Sequence, residues 1–188
     1  MGRVAGLGVG SKVVAVVGLD VVVVASTPGR EAWLADCLAS IEREVVVLRQ
    51  PGTWELGKIK WLYENTLFDR FLFLHDSVIV KDQTFFDRMF EHPGSVSVTN
   101  DPRIFGMFMG IYTREHLSRV ELYSPVTQRD SIRAEIEWTT AYAAAAGDVP
   151  VVFPELRDST NRGFVERHGR INMVLENDYL RKFKGTWG

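Results

Sequence analysis

The chain has 188 residues, 46% hydrophobic and 24% charged, the size and balance of one packed domain and not of a disordered or collagen-like chain. Lys and Arg number 22 against 24 Asp and Glu, a net charge of −2, so no global positive field drives sequence-blind nucleic-acid binding and any basic patch is local. The single cysteine, Cys37, excludes an intrachain disulfide and a cysteine-based zinc site and suits a reducing compartment.

Residues 1–20 read as a flexible Gly/Val-rich leader before a single domain spanning 21–188. The stretch from Gly6 to Lys12 has the glycines of a phosphate-binding loop but not the spacing, and it precedes the first strand instead of following it. Residues 13–25 are apolar, yet Asp20 interrupts them and the run falls short of the ~20 residues that cross a bilayer. The expectation is a cytoplasmic protein with no membrane span.

From residue 21 the pattern is regular. Residues 21–25 are a β-branched run ended by Ser26-Thr27-Pro28-Gly29, a buried strand entering a loop. Residues 31–42 place Trp33, Leu34, Cys37, Leu38 and Ile41 at helical spacing, with Thr27 and Pro28 as cap and first helical position. A second strand is expected at 44–48, a helix at 54–66 and a third strand at 70–74. This β-α-β-α-β series predicts parallel strands covered by helices, because parallel crossovers are right-handed almost without exception. Their C-terminal ends then share an edge, so the loop 26–30 lies beside His75-Asp76-Ser77, where ligands of open α/β sheets bind. The second half predicts a helix at 84–90, strands at 95–99 and 104–112, helices at 114–122 and 130–146, and a strand at 149–153.

Three groups of residues carry chemistry. His75-Asp76-Ser77 follow four large apolar residues that deliver them to the ligand edge, where an oxygen-rich set would hold Mg²⁺ or Mn²⁺ against a diphosphate. Seven basic residues, Arg157, Arg162, Arg167, Arg170, Arg181, Lys182 and Lys184, are interleaved with Gly163, Gly169 and Gly185. They read either as a lid closing over phosphate or as a solvated basic tail balanced by Glu166, Glu176 and Asp178. On the 130–146 helix Glu135 shares a face with Trp138 while Glu137 points to nearly the opposite side. A carboxylate beside an aromatic ring suits removal of a proton from a sugar-accepting hydroxyl. Asn100 and Asp101 are candidates for the donor sugar, and the run from Ile104 to Tyr112 for an acceptor-facing wall or a closely packed strand.

Residues 21–41 (VVVVASTPGREAWLADCLASI), the Gly57-Lys58 segment within PGTWELGKIKWLYENTLFDRFLFLHDSVIV, and the terminal NMVLENDYLRKFKGTW together resemble a small GT-A-type glycosyltransferase, similar to compact enzymes of this type from phages and bacteria. The resemblance covers roughly residues 20–187. It implies a single GT-A-like, Rossmann-like α/β domain with a mostly parallel central sheet flanked by helices. It also implies transfer of a sugar from a nucleoside-diphosphate sugar to a hydroxyl of a protein or glycan acceptor, in the host cytoplasm if phage-encoded. By that resemblance Ser26, Thr27 and Arg30 contact the nucleotide, with Gly57, Lys58, His75, Asp76, Ser77, Arg170, Lys182 and Lys184 completing the donor site. Asp76 is the metal-binding carboxylate, His168 the late histidine of the metal shell, and His75 a further ligand or a partner orienting Asp76. Glu135, then Glu137, take the place of the catalytic base. Where the family shows two acidic residues this chain has His75-Asp76-Ser77, which keeps a non-catalytic nucleotide-sugar-binding module open. A nucleotidyltransferase that makes the activated sugar is the other alternative, although only one glycine follows the first strand.

Overall fold

A computed structural model describes residues 4–7, 20–49, 54–99, 108–147, 149–156 and 162–185. In chain order the elements are β1 (Val4–Leu7), β2 (Val21–Ser26), α1 (Glu31–Ala39), β3 (Val45–Arg49), α2 (Glu55–Asn65), β4 (Arg70–His75) and β5 (Val78–Val80). They continue with α3 (Thr84–Phe90), β6 (Val96–Ser97), β7 (Gly110–Thr113), α4 (Arg114–Leu117), α5 (Gln128–Ala146), β8 (Arg162–Arg167), β9 (Arg170–Glu176) and β10 (Leu180–Gly185). Among the described residues no helix is long and apolar enough to cross a membrane.

The main sheet has the order β1-β3-β2-β4-β7-β6. Strands β1, β3, β2 and β4 pair in parallel, whereas β7 is antiparallel to both β4 and β6. Period-2 alternation explains its two faces. Val22, Val24, Leu72 and Leu74 pack with Leu34 and Cys37 of α1 and with Phe85, Phe86 and Met89 of α3. Val23, Ala25, Phe71 and Phe73 pack on the other side with Leu56, Ile59 and Leu62 of α2 and with Ala134, Trp138 and Tyr142 of α5. Both faces being covered, the central strands carry uninterrupted apolar runs.

The expectation of a mostly parallel sheet is corrected in two respects. The main sheet is mixed, and a second sheet, β5-β10-β9-β8, is antiparallel throughout. This second sheet also takes the place of the lid or solvated tail that the basic C-terminal stretch suggested: Val174, Leu175, Leu180 and Phe183 are buried, so β9 and β10 pack on the body, while Phe164, Val165 and Ile171 are exposed. Gly169 serves the tight β8–β9 turn at φ 71°, one of the two positive-φ residues that close that hairpin with His168 at φ 51°. Val4–Leu7, inside the expected leader, forms β1 against β3, and residues 8–19 lie outside the described residues.

Local chemistry sets the boundaries that differ. Helix α1 starts at Glu31 with Arg30 as N-cap, not at Pro28, and ends by residue 39 because the Ser40 hydroxyl donates back to the Cys37 carbonyl at 2.7 Å. Helix α5 starts at Gln128 because Thr127 and Asp130 form a reciprocal capping box. The strand expected at 149–153 is reduced to a bridge between Ser97 and Val151. At Gly110 a Cβ would lie 2.3 Å from the Val96 carbonyl oxygen, so glycine lets β6 approach β7. Asn100, Asp101 and the first part of the 104–112 run lie outside the described residues.

Candidate functional site

The parallel register brings the C-terminal ends of β2 and β4 together: Ala25 lies opposite His75, and the Asp76 N–H donates to the Ala25 carbonyl at 3.1 Å. The Asp76 carboxylate, 1% exposed, then ties the two loops. Its Oδ2 accepts the Thr27 N–H at 2.8 Å and its Oδ1 accepts from Arg30 Nη1 at 3.3 Å. Gly29, at φ 76°, turns the chain so that Thr27 and Arg30 both reach it.

The second sheet completes the cluster. Pairing of β10 with β5 sets Lys182 opposite Val78, and the Phe183 N–H donates to the Ser77 carbonyl at 2.9 Å. Lys182 is buried, and its Nζ lies 2.9 Å from His75 Nδ1 and donates to Ser77 Oγ at 2.6 Å. Lys58, from the first turn of α2, is also buried beside Gly57, and its charge acts on both His75 and Asp76.

Burial dominates the electrostatics. It pushes the Lys182 ammonium down to about 7, assisted by Arg30 and opposed by Asp76. It lowers His75 well below the ordinary histidine value, with Lys182, Lys58 and Arg30 acting in the same direction, so the imidazole is neutral. It raises Asp76, against the lowering effects of Arg30, the Thr27 N–H, Lys182 and Lys58. Cys37, whose Sγ lies 3.8 Å from the His75 carbonyl oxygen, is pushed up to about 12 by burial and by Asp76, which makes it an inert thiol.

Beside the Thr27–Arg30 loop a cleft of about 490 Å³ is lined by Ser26, Pro28, Glu31, Leu34, Ala35, Leu38 and Arg49. Its volume and largely apolar walls are those of a small-molecule site. Of these residues only Ser26 was expected from the sequence to contact a ligand; Arg49 is recognisable in retrospect as the exposed end of a buried strand, in register with Ser26.

The structure therefore brings together Ser26, Thr27, Arg30, Lys58, His75, Asp76, Ser77 and Lys182. It assigns His168 elsewhere: its Nε2 meets Asp36 Oδ2 at 2.8 Å and its ring packs on Trp33. Arg167 bonds the same carboxylate and lies over the Phe183 ring, and Arg181 pairs with Glu176. Arg170 is exposed at the β8–β9 turn, while Arg157 and the side chains of Arg162 and Lys184 lie outside the described residues. Among the described residues no three His, Cys, Asp or Glu side chains are grouped to hold a metal ion. Of the ligand set implied for a divalent ion, His75 and Asp76 are adjacent at the end of β4, while His168 pairs with Asp36.

Helix α5 is ordered along β7 by its rings. Tyr142 packs against Tyr112 and His116, and Trp138 against Tyr112 and Phe108. Since β7 runs opposite to β4, the N-terminal half of α5, with Glu135 and Glu137, lies toward the edge where β4 ends. Glu135 is half-buried, and Glu137 is exposed and bonded to Arg133 at 2.7 Å. Trp138 corrects the expectation of a sugar platform: it is 4% exposed, stacks on Tyr142 and donates its Nε1–H to the Glu121 carbonyl. No family model, no characterised relative and no solved structure matches this chain.

Proposed function

We propose that this chain binds a nucleoside-diphosphate sugar at the shared edge of β2 and β4 and transfers the sugar to an acceptor hydroxyl. The observation that carries the reading is the Asp76 latch, which holds the Thr27–Arg30 loop against His75-Asp76-Ser77 with Lys182 buried beside it. The adjoining cleft has room for the nucleoside, with Ser26, Glu31 and Arg49 as its polar residues. Breaking the bond between the sugar and the diphosphate leaves negative charge on the departing oxygens, which Arg30 and Lys182 offset. The acceptor hydroxyl gives its proton to a carboxylate as its oxygen bonds to the sugar; Glu135 is assigned first and Glu137 second.

Incubation with mixed sugar nucleotides and analysis of products tests the reading. Release of free nucleoside diphosphate with gain of sugar mass on an acceptor is expected. Pyrophosphate exchange would replace it with nucleotidyl transfer. Binding without turnover would leave a nucleotide-sugar-binding module, the reading that the single carboxylate of His75-Asp76-Ser77 keeps open.

A further inference from the structure

Resting on the nucleotide-sugar reading, we infer that the diphosphate is held directly by protein cations, Lys182 foremost with Arg30 and Lys58, and not through a divalent metal ion. The donors that the GT-A resemblance assigns to a metal are engaged with protein partners, save His75 Nε2, which is buried without one. Both Asp76 oxygens have protein partners in a carboxylate 1% exposed, so a cation there would displace Arg30. The Lys182 ammonium, which can only donate, lies 2.9 Å from His75 Nδ1; this selects the imidazole tautomer with its hydrogen on Nε2, so that buried, unpartnered nitrogen has no lone pair to give. His168 Nε2 is engaged with Asp36.

The charge balance points the same way. Two carboxylates, the buried Asp76 and Glu55, act against three basic side chains, Arg30, Lys58 and Lys182, which leaves the balance positive, so a divalent cation meets net repulsion and an anion meets attraction. An ammonium has three N–H donors, and Lys182 uses two of them on His75 and Ser77. Its third is available to a phosphate oxygen, and Arg30, 31% exposed, reaches the same ligand from the loop. Ser77 and His75 are positioning residues here: they fix the ammonium, and β10 delivers it only because β5 follows Asp76 directly in the chain.

The two accounts differ in their dependence on Mn²⁺. If Asp76 binds metal, diphosphate binding needs Mn²⁺ and Asp76→Asn abolishes it. If cations hold the diphosphate, binding is the same in EDTA and in Mn²⁺, and Asp76→Asn, which keeps an oxygen for Thr27 but turns an amide N–H toward Arg30, weakens it without making it depend on Mn²⁺. Calorimetric titration of the full chain with UDP, GDP, ADP and CDP, in excess EDTA and again in excess Mn²⁺, reads this out. At least one nucleotide is expected to bind equally well in both buffers. Lys182→Met should weaken it about 10–100-fold, the scale of one charge-assisted hydrogen bond, with circular dichroism confirming the fold. Arg30→Ala, at a partly exposed side chain, provides a second loss should the buried variant fail to fold. Binding that appears only with Mn²⁺ and vanishes in Asp76→Asn would overturn the inference and leave the nucleotide reading standing. Binding of none of the four in either buffer would overturn both.

Discussion

Replacement of Asp76 separates what its shape does from what its charge does. The carboxylate is buried and accepts the Thr27 N–H at 2.8 Å, so Asp76→Ala leaves a buried donor without a partner and frees the Arg30 guanidinium. An orphaned buried donor costs ~1–3 kcal/mol. Asp76→Asn retains an oxygen for Thr27 and gives up the Arg30 pair, and because burial raises the carboxyl pKa in the folded chain, ionisation is less favourable there than in the unfolded chain; the neutral amide should therefore cost clearly less than the alanine. The pH dependence follows. A folded-state pKa above the unfolded value means that the native chain binds the proton more tightly, so stability falls as pH rises through the window just above 3.8. Asp76→Asn should remove that part of the slope. Urea unfolding at neutral pH, with unchanged m-values, provides the comparison. An asparagine variant as unstable as the alanine variant would show that charge, not the hydrogen-bonded latch, holds the loop, and would refute this account of it.

Three further outcomes follow from particular contacts. Glu176 is held below the usual carboxylate range by Arg181, against burial and with help from Lys81; its stabilising contribution is present above about pH 4.5 and lost as pH falls through the lowered value, so Glu176→Gln should flatten the acid limb of urea midpoints measured at descending pH. Gly110→Ala should destabilise by ~1–3 kcal/mol through the clash with the Val96 carbonyl, and an unchanged melting temperature would contradict the close approach of β6 and β7. Glu135→Gln should lower turnover ~10²–10⁴-fold with donor affinity retained, whereas Glu137→Gln, which removes an exposed pair with Arg133, should be nearly silent; the reverse result would move the base to Glu137.

The first half of the fold was legible because burial on both faces writes continuous apolar strands between amphipathic helices. Strands β2, β3 and β4 and helices α1, α2 and α3 accordingly lie within a few residues of their expected positions. The loops carrying Thr27, Arg30 and Asp76 followed from parallel topology alone. The antiparallel second sheet was not legible, since its strands are basic, glycine-bearing and buried mainly on one side, a pattern shared with a solvated tail. Strand β5, three residues long, was hidden in the His75-Asp76-Ser77 motif. Lys182 was one basic residue among seven; the signal that distinguishes it is its alternation with the buried Leu180, which puts a lysine at a core position. The Asp36 partnership of His168 had no sequence signal at all, because it joins residues 132 positions apart.

The central claim is that a nucleoside diphosphate occupies the edge formed by Thr27, Arg30, Asp76 and Lys182. Titration of the isotope-labelled chain with the tightest-binding nucleoside diphosphate, followed by NMR of backbone amides and the lysine ammonium groups, tests it most directly. The account predicts that the Thr27, Asp76 and Ser77 amides and the Lys182 ammonium shift together and saturably, while the exposed turn at Arg170 stays unchanged. Saturable shifts confined to other surfaces, with Thr27 and Lys182 unmoved, would contradict it.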